Sequence, residues 1–283
     1  MILLADGGST KVDWCLTDKR KTVKQIFTKG ANPFFRTSGD ISEELRRSFA
    51  SALSDSPVKA VFFYGAGCLF PERNEVIRAA IADSLPVKTI EVGSDLLAAA
   101  RSLCGHDKGI ACILGTGSNS CFYDGSAVAA NVPPLGYILG DEGSGAVLGR
   151  LLVGACLKNQ LTPGLKEKFL DRFCLTPATI LDNVYKQPLP NRFLAGLSPF
   201  LLENITDETI YKLVFNSFKD FFIKNVMQYD YRSYEIHFTG SIAFHYQSIL
   251  KEAGENTGMR IGKIEQSPMA GLIKYHSSLE KSD

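Results

Sequence analysis

The sequence predicts an α/β protein made of two similar halves, each a mixed sheet with crossover helices. Three observations carry this reading. The first is the stretch Ile110 to Gly125 (IACILGTGSNSCFYDG), where two apolar runs flank a turn of Gly, Thr, Ser and Asn. Such a pattern forms a hairpin, because glycine accepts the positive φ that tight turns demand. The second is its counterpart at the start of the chain, Ile2 to Asp18 (ILLADGGSTKVDWCLTD), which makes the chain look duplicated. The third is the order after each hairpin: one more strand, then helices alternating with strands, as in sheets with crossover connections.

Taken in order, Thr22 to Phe27 completes an antiparallel meander, and Lys29-Gly30-Ala31-Asn32-Pro33 is a loop by its Gly, Asn and Pro. Ile41 to Leu53 has helical spacing of apolar residues, with Asp40 or Ser42 as the cap. Val58 to Tyr64 is a buried strand ending in Gly65-Ala66-Gly67. Asn74 to Ser84 is helical, Val87 to Val92 a strand, and Ser94 to Leu103 a helix capped by Ser94. The second half repeats this order with additions. Strands Gly109 to Leu114, Ser120 to Tyr123 and Ala127 to Asn131 are followed by a glycine-dense turn within Leu135 to Arg150, running into a helix as far as Leu157. Leu161 to Phe222 reads as several helices broken at Pro163, Pro188, Pro190 and Pro199. Phe215, Phe218, Phe221 and Phe222 in this stretch are core aromatics. Strand Tyr234 to Phe238, a helix to Ala253, strand Met259 to Ile264 and a closing helix from Met269 to His276 complete the chain.

The 283 residues are long enough for about two domains. Apolar residues at 45% and charged residues at 22% are ordinary for a globular protein. A formal net charge of +1 gives no reason to expect nucleic acid or an anionic membrane as partner. The apolar start, Met1 to Ala5, is too short for a signal peptide and is broken by Asp6, which places the chain in the cytoplasm. Seven cysteines, with Cys15, Cys112, Cys121 and Cys156 inside apolar segments and no C-x-x-C pair, read as reduced core residues.

The turns carry the chemistry. Backbone N–H groups at Gly115-Thr116-Gly117-Ser118 can point outward together as a nest for an anion such as phosphate, and Gly7-Gly8-Ser9-Thr10 offers the same. Two such turns with a nucleotide held between them suggest a hinged phosphotransferase. Asp6, at a strand end beside the first turn, is placed to hold Mg²⁺ or, as a turn residue, to bond its own backbone. Thr10 and Lys11 are placed to touch phosphate oxygens, although G-x-x-x-x-G-K-[ST] is absent. Asp95 lies in the first turn of a helix at a strand's carboxyl end, where ligand crevices form in α/β sheets. There it either stabilises the helix dipole or takes the proton of a substrate hydroxyl. Asp141 and Glu142, in Gly140-Asp141-Glu142-Gly143-Ser144-Gly145, cap a helix or bring backbone close to a ligand. Gly240 and Ser241, in Thr239-Gly240-Ser241, could pack a nucleotide base or ribose, and Asn32 reads equally as a turn residue.

With these residues gathered, the chain resembles the sugar-kinase, heat-shock-protein-70 and actin superfamily. More closely, it is similar to the N-acetylglucosamine kinase-like branch grouped with the BadF/BadG/BcrA/BcrD ATPases. The resemblance rests on Asp6-Gly7-Gly8-Ser9-Thr10-Lys11, Leu114-Gly115-Thr116-Gly117-Ser118-Asn119, GDEGSG from Gly140, Phe238-Thr239-Gly240-Ser241-Ile242-Ala243 and Pro268-Met269-Ala270-Gly271. It implies two ribonuclease-H-like domains with mixed sheets and a nucleotide cleft between them. The domains would cover residues 1–108 and 109–268, with a helical insertion over 151–222 and a last helix, 269–283, packed back on the first domain.

By the same resemblance the cofactors are ATP and Mg²⁺ and the substrate is an amino sugar. Asp95 is then the general base, Asn32 a sugar ligand, and Thr116, Gly117 and Asp141 contacts to sugar or transferring phosphate. Pro133-Pro134-Leu135-Gly136-Tyr137 departs from the Trp-Gly pair of animal members and leaves the sugar open. Two rivals stand beside the kinase: an ATPase activating a radical dehydratase through a bridging iron–sulfur cluster, and a non-catalytic ATP- or sugar-binding regulator. The sequence leaves a homodimer open.

Overall fold

The computed structural model describes residues 1–8, 11–18, 21–50, 52–53 and 57–279. The chain divides into two compact units, Met1–Asp107 with Gly125–Ala127 and Pro268–Asp283, and Lys108–Asp124 with Val128–Ser267. The first unit runs β1 (Ile2–Gly7), β2 (Lys11–Asp18), β3 (Lys21–Lys29), α1 (Ser38–Ala50), β4 (Ala60–Gly65), α2 (Pro71–Ser84), β5 (Thr89–Ser94) and α3 (Asp95–Cys104). The second runs β6 (Gly109–Leu114), β7 (Ser118–Tyr123), β8 (Val128–Val132), α4 (Gly136–Leu139), α5 (Gly145–Leu157), α6 (Leu165–Arg172), α7 (Pro177–Tyr185) and α8 (Pro190–Gly196). It continues through α9 (Ser198–Glu203), α10 (Glu208–Lys224), β9 (Ile236–Thr239), α11 (Ser241–His245), α12 (Gln247–Asn256) and β10 (Ile261–Glu265), after which α13 (Met269–Leu279) rejoins the first unit.

The duplication is present at the level of topology. The sheets have orders β3-β2-β1-β4-β5 and β8-β7-β6-β9-β10, each an antiparallel meander whose first strand pairs in parallel with a later one. These two mixed sheets with their helices are the α/β class expected from the paired hairpins.

In the first unit, strand alternation sorts residues between two helical layers. Leu3 and Ala5 of β1 pack with Val12, Trp14, Val61 and Phe63 against α1 and α2 through Ile41, Leu45, Phe49, Ile77 and Ile81. Ile2 and Leu4 face the other way, with Cys15 and Tyr64, onto Ala98 of α3 and Leu272 of α13. Asp6 continues the Ile2–Leu4 row and so emerges on the α3 side. Helix α13 can lie against α3 because Gly271 has no side chain: a Cβ there would come within 2.3 Å of the Ser102 carbonyl oxygen. A buried chain of polar groups fastens the crossing. Arg101, ion-paired to Glu91, donates to the Tyr64 hydroxyl, which lies 2.8 Å from Nε2 of His276. With Arg101 donating, the tyrosine hydroxyl donates onward to Nε2. Burial, reinforced by the Arg101 charge, holds the His276 pKa down at about 3, so the ring stays neutral.

The second unit owes its larger core to the helices between β8 and β9. In α10 the buried stripe Ile210, Val214, Phe218, Phe221 and Phe222 has helical period, and Asp207 caps the start by accepting from Thr209 and Ile210 N–H. Phe218, Phe221 and Phe222 are fully buried and Phe215 is half-buried against them.

Several local expectations need correction. The first helix begins at Ser38, not Ile41, because Thr37 and Asp40 cap it reciprocally: Asp40 N–H donates to Thr37 Oγ1 (3.2 Å) and Thr37 Oγ1 donates to the Asp40 carboxylate (2.7 Å). Pro190 and Pro199 start helices rather than merely ending them, since the first turn needs no N–H from them. The helix expected to run to Ala253 is two helices, parted at Tyr246, whose hydroxyl bonds the Ser198 carbonyl in the core. Cys15, Cys112, Cys121 and Cys156 are all buried. Among the described residues no helix is long and apolar enough to cross a membrane.

Candidate active site

In the first unit the candidates collect at the carboxyl edge of the parallel strands. Register places Asp6, Tyr64 and Gly93 in one row and Gly7, Gly65 and Ser94 in the next, so β1, β4 and β5 end together. Side chains are absent from the Gly7–Gly65 row for a reason of packing. A Cβ on either would fall within 2.7 Å of the Phe63 ring. Ser94 caps α3 by accepting from Leu97 N–H (3.2 Å), as the sequence indicated. Asp95 follows at the first helical position, half-buried, with Oδ1 accepting from Leu96 N–H at 2.9 Å. Gly8 is exposed, and the exposed Lys11 lies with its ammonium 4.8 Å from the Phe27 ring centre. Ser9 and Thr10, also expected on phosphate, lie outside the described residues.

Asn32 reaches the same edge through the loop that follows β4. Gly67, at φ +83°, sits against it so closely that a Cβ would be 2.7 Å from Asn32 Oδ1. Burial, with a smaller push from the Asp95 charge, moves the thiol of the next residue, Cys68, up to about 12. The Gly65–Cys68 loop therefore leaves the strand row that holds Ser94, the residue before Asp95, and closes on Asn32, a link no local pattern announced. Asn32 is also the turn residue its sequence allowed: Oδ1 accepts from Phe34 N–H at 2.9 Å, and its carbonyl from Phe35 and Arg36.

The electrostatics are those of carboxylates short of counter-charge. Burial first, then the charges of Asp95 and Asp13, push the Asp6 carboxyl up to about 7, against an opposing pull from Lys11. Burial raises Asp95 as well, against the hydrogen bonds from the Leu96 and Asp95 backbone that favour its ionised form. A carboxyl raised on folding holds its proton in the native state where the unfolded chain has lost it. Asp6 therefore costs stability as pH climbs from its ordinary value of 3.8 through about 7. Asp6→Asn is expected to stabilise the protein at pH 8 by roughly 2–4 kcal/mol, at about 1.4 kcal/mol per pKa unit, and by little near pH 4. Urea unfolding at both pH values tests this; an equal change at the two would remove the charge explanation.

In the second unit, Gly115, Thr116 and Gly117 form the turn between β6 and β7. Its carbonyls are held by the start of α5: Gly145 N–H donates to the Gly115 oxygen (2.8 Å) and Ala146 N–H to that of Thr116 (3.1 Å). Thr116 is exposed, and a Cβ on Gly115 would meet nothing within 4 Å, so the tip has open space beside it. Asp141 leans over this turn. Its Oδ1 accepts from Ser118 N–H at 3.3 Å, and a Cβ on Gly117 would touch Oδ2 at 3.1 Å. Asp141 holds φ +52°, an uncommon conformation for a residue with a side chain. Burial, with a smaller push from Glu142, raises its carboxyl to about 6 against the Ser118 hydrogen bond. Gly240, at φ +116°, lies against the Leu114 carbonyl that leads into the turn, and Ser241 opens α11, exposed.

One expectation changes here. The glycines around Asp141 are required by protein: a Cβ on Gly140 would be 2.2 Å from the Pro134 oxygen, and one on Gly145 would be 3.2 Å from the Ala195 Cβ. Glu142 is likewise structural, paired with Lys224 (3.4 Å) and bonded by Asn225. Those partners lie on or just beyond α10, over eighty residues away, where spacing gives no signal.

Two matched sheets, each with a glycine-bearing hairpin turn, define a two-domain protein of the actin-like ATPase fold. No family model and no curated protein matches the chain. Solved structures do. A crystal structure from Porphyromonas gingivalis is 49% identical over 99% of this chain and all of the other, with a TM-score of 0.96. A second, from Chromobacterium violaceum, is 16% identical over 97% of this chain and 99% of the other, with a TM-score of 0.74. Both proteins carry the name "Putative N-acetylglucosamine Kinase". A ROK hexokinase from Thermus thermophilus shares the fold at 15% identity, covering 100% of this chain and 99% of that one, with a TM-score of 0.52. The chain belongs to the N-acetylglucosamine kinase-like family.

Proposed function

We propose that this protein is an ATP-dependent kinase of an amino sugar of the N-acetylglucosamine or glucosamine type. The observation that carries the reading is Asp95: a partly desolvated carboxylate at a strand's carboxyl end, just after the row from which one loop leaves to close on Asn32, and electrostatically coupled to Asp6. Its raised pKa makes it a better proton acceptor than an ordinary carboxylate, and its backbone hydrogen bonds keep it aimed. Asp95 takes the proton of the attacking sugar hydroxyl, and Asn32 orients the sugar. In the first unit Gly7, Gly8 and Lys11 offer backbone N–H groups and the lysine ammonium to phosphate oxygens. In the second Thr116 and Gly117 offer backbone N–H groups, while Gly115, whose N–H donates to the Gly117 carbonyl (2.9 Å) and not outward as its turn suggested, shapes the turn. Asp141 fixes the second turn, and Gly240 and Ser241 pack the nucleoside.

The residues fit Mg²⁺ as a phosphate-borne ion. Asp6 is an oxygen donor whose charge Lys11 offsets only in part, yet among the described residues no group of three or more His, Cys, Asp and Glu forms a cage. Magnesium typically takes one or two carboxylates, the rest of its shell being water and substrate phosphate. When bound it would neutralise charge on the transferring phosphoryl group. Asp6 would hold it, giving up its proton on doing so.

Cys112 and Cys121 are wholly buried, which does not favour a shared iron–sulfur cluster. The deciding experiment is coupled ADP release with Mg²⁺ and ATP against N-acetylglucosamine, glucosamine, N-acetylmannosamine and glucose. Turnover of an amino sugar at least 10-fold above the glucose rate is expected. ATP binding with no turnover of any sugar would replace the kinase by a regulator.

A further inference from the structure

Beside Asn32 the first unit exposes a cluster of large apolar side chains that the phosphoryl-transfer chemistry does not use. Phe34 is 51% exposed, Phe35 77%, Leu69 66% and Phe70 54%. Scattered apolar residues on a surface are ordinary, but a contiguous group marks a binding site. The two loops that carry these four meet at Asn32 and Phe34. The backbone N–H groups of Phe34 and Phe35 donate to the Oδ1 and carbonyl of Asn32, and the Phe34 ring lies 3.0 Å from where a Gly67 Cβ would be. Gly67 in turn leads directly into Cys68, Leu69 and Phe70. Two loops thus meet at one asparagine, each carrying adjacent apolar side chains past it. Arg73 braces the arrangement, its guanidinium 4.5 Å from the Phe34 ring centre and bonded to the Pro33 carbonyl.

Resting on the kinase reading above, we infer that the acceptor site takes an amino sugar bearing an apolar extension, received by Phe34, Phe35, Leu69 and Phe70 beside Asn32. A bare hexose offers hydroxyls to polar partners and gains from at most one aromatic face. Four exposed apolar side chains next to the sugar's ligand give burial only to something larger, such as an acyl chain or an aromatic aglycone. The cluster is a specificity device: it acts on binding of the extension, and the proton transfer at Asp95 is indifferent to it.

The test compares N-acetylglucosamine with N-hexanoylglucosamine and a benzyl glycoside of N-acetylglucosamine, by ADP release and by calorimetry. The proteins are the full chain and its Phe35→Ser, Leu69→Ser and Val23→Ser variants. Val23, 52% exposed on β3, controls for loss of an apolar surface residue elsewhere. At least one extended sugar is expected to show a KM 10-fold or more below that of N-acetylglucosamine. Phe35→Ser and Leu69→Ser erase that advantage through KM, and Val23→Ser keeps it. No preference for either extended sugar, or a preference that survives both variants, overturns the inference. So does a change in mass by light scattering with every KM intact, which would make the cluster a contact between copies of the chain. If the full chain turns over no sugar, the kinase reading fails alone provided calorimetry still shows the extended sugar bound more tightly and the variants losing it. No binding of any sugar overturns both.

Discussion

Asp95→Ala is expected to lower sugar-dependent ADP release by about 10²- to 10⁴-fold, the range a positioned general base supplies, with little change in thermal stability. The two halves of this expectation come from one geometry. Asp95 is half-buried and its carboxylate is partly desolvated, so the native state gains by losing its charge. Against that gain stands the Leu96 N–H, which loses its acceptor at a cost of about 1 kcal/mol. The helix keeps its cap, because Ser94 and not Asp95 receives the Leu97 N–H. A drop in rate therefore reports chemistry, not unfolding. Asp95→Asn is the sharper companion: it keeps an oxygen for Leu96 and removes the base. Either variant retaining more than a tenth of the parent rate would end the assignment of Asp95 as base.

Gly240→Ala is expected to destabilise the protein by roughly 3 kcal/mol or more, through backbone strain and collision together. Gly240 holds φ +116° and ψ 159°, a region essentially confined to glycine. A Cβ there would stand 2.3 Å from the Leu114 oxygen and 3.3 Å from the Gly115 nitrogen, both backbone atoms that cannot swing aside. Relief requires β9 to part from β6, which moves the turn at Gly115 to Gly117, so ATP affinity falls as well. Gly115→Ala is the contrast. Its Cβ meets nothing within 4 Å, so stability should hold within about 0.5 kcal/mol. Urea unfolding of the pair checks the claim; equal destabilisation of both would refute it.

Strand and helix order was legible because alternation and helical spacing are local, and the hairpins at Asp6 and Gly115 marked themselves by glycine after an apolar run. The Ser94 cap was legible for the same reason. What escaped was set by distant partners. Glycines at 140 and 145 look like ligand-binding backbone until Pro134 and Ala195 are seen against them. The break at Tyr246 follows from a hydroxyl bonded forty-eight residues away, and nothing near Asn32 tells that Gly67 closes on it. Residues that touch across long loops leave no period in the sequence.

Leu272 and His276 lie at the far end of the chain from the sheet face they cover, which holds Ile2, Leu4 and Tyr64. During synthesis that face emerges early and is covered by α3 alone, through Ala98 and Arg101, while the second unit is being made, so the strip under α13 stays open. The second unit needs nothing from the first helices or from α13 to fill its own core. Nascent chains should therefore mature in reverse of their order of appearance. The second unit would fold first and the first be completed only when α13 packs against α3 and β1, leaving that strip of sheet exposed to chaperones in the interval.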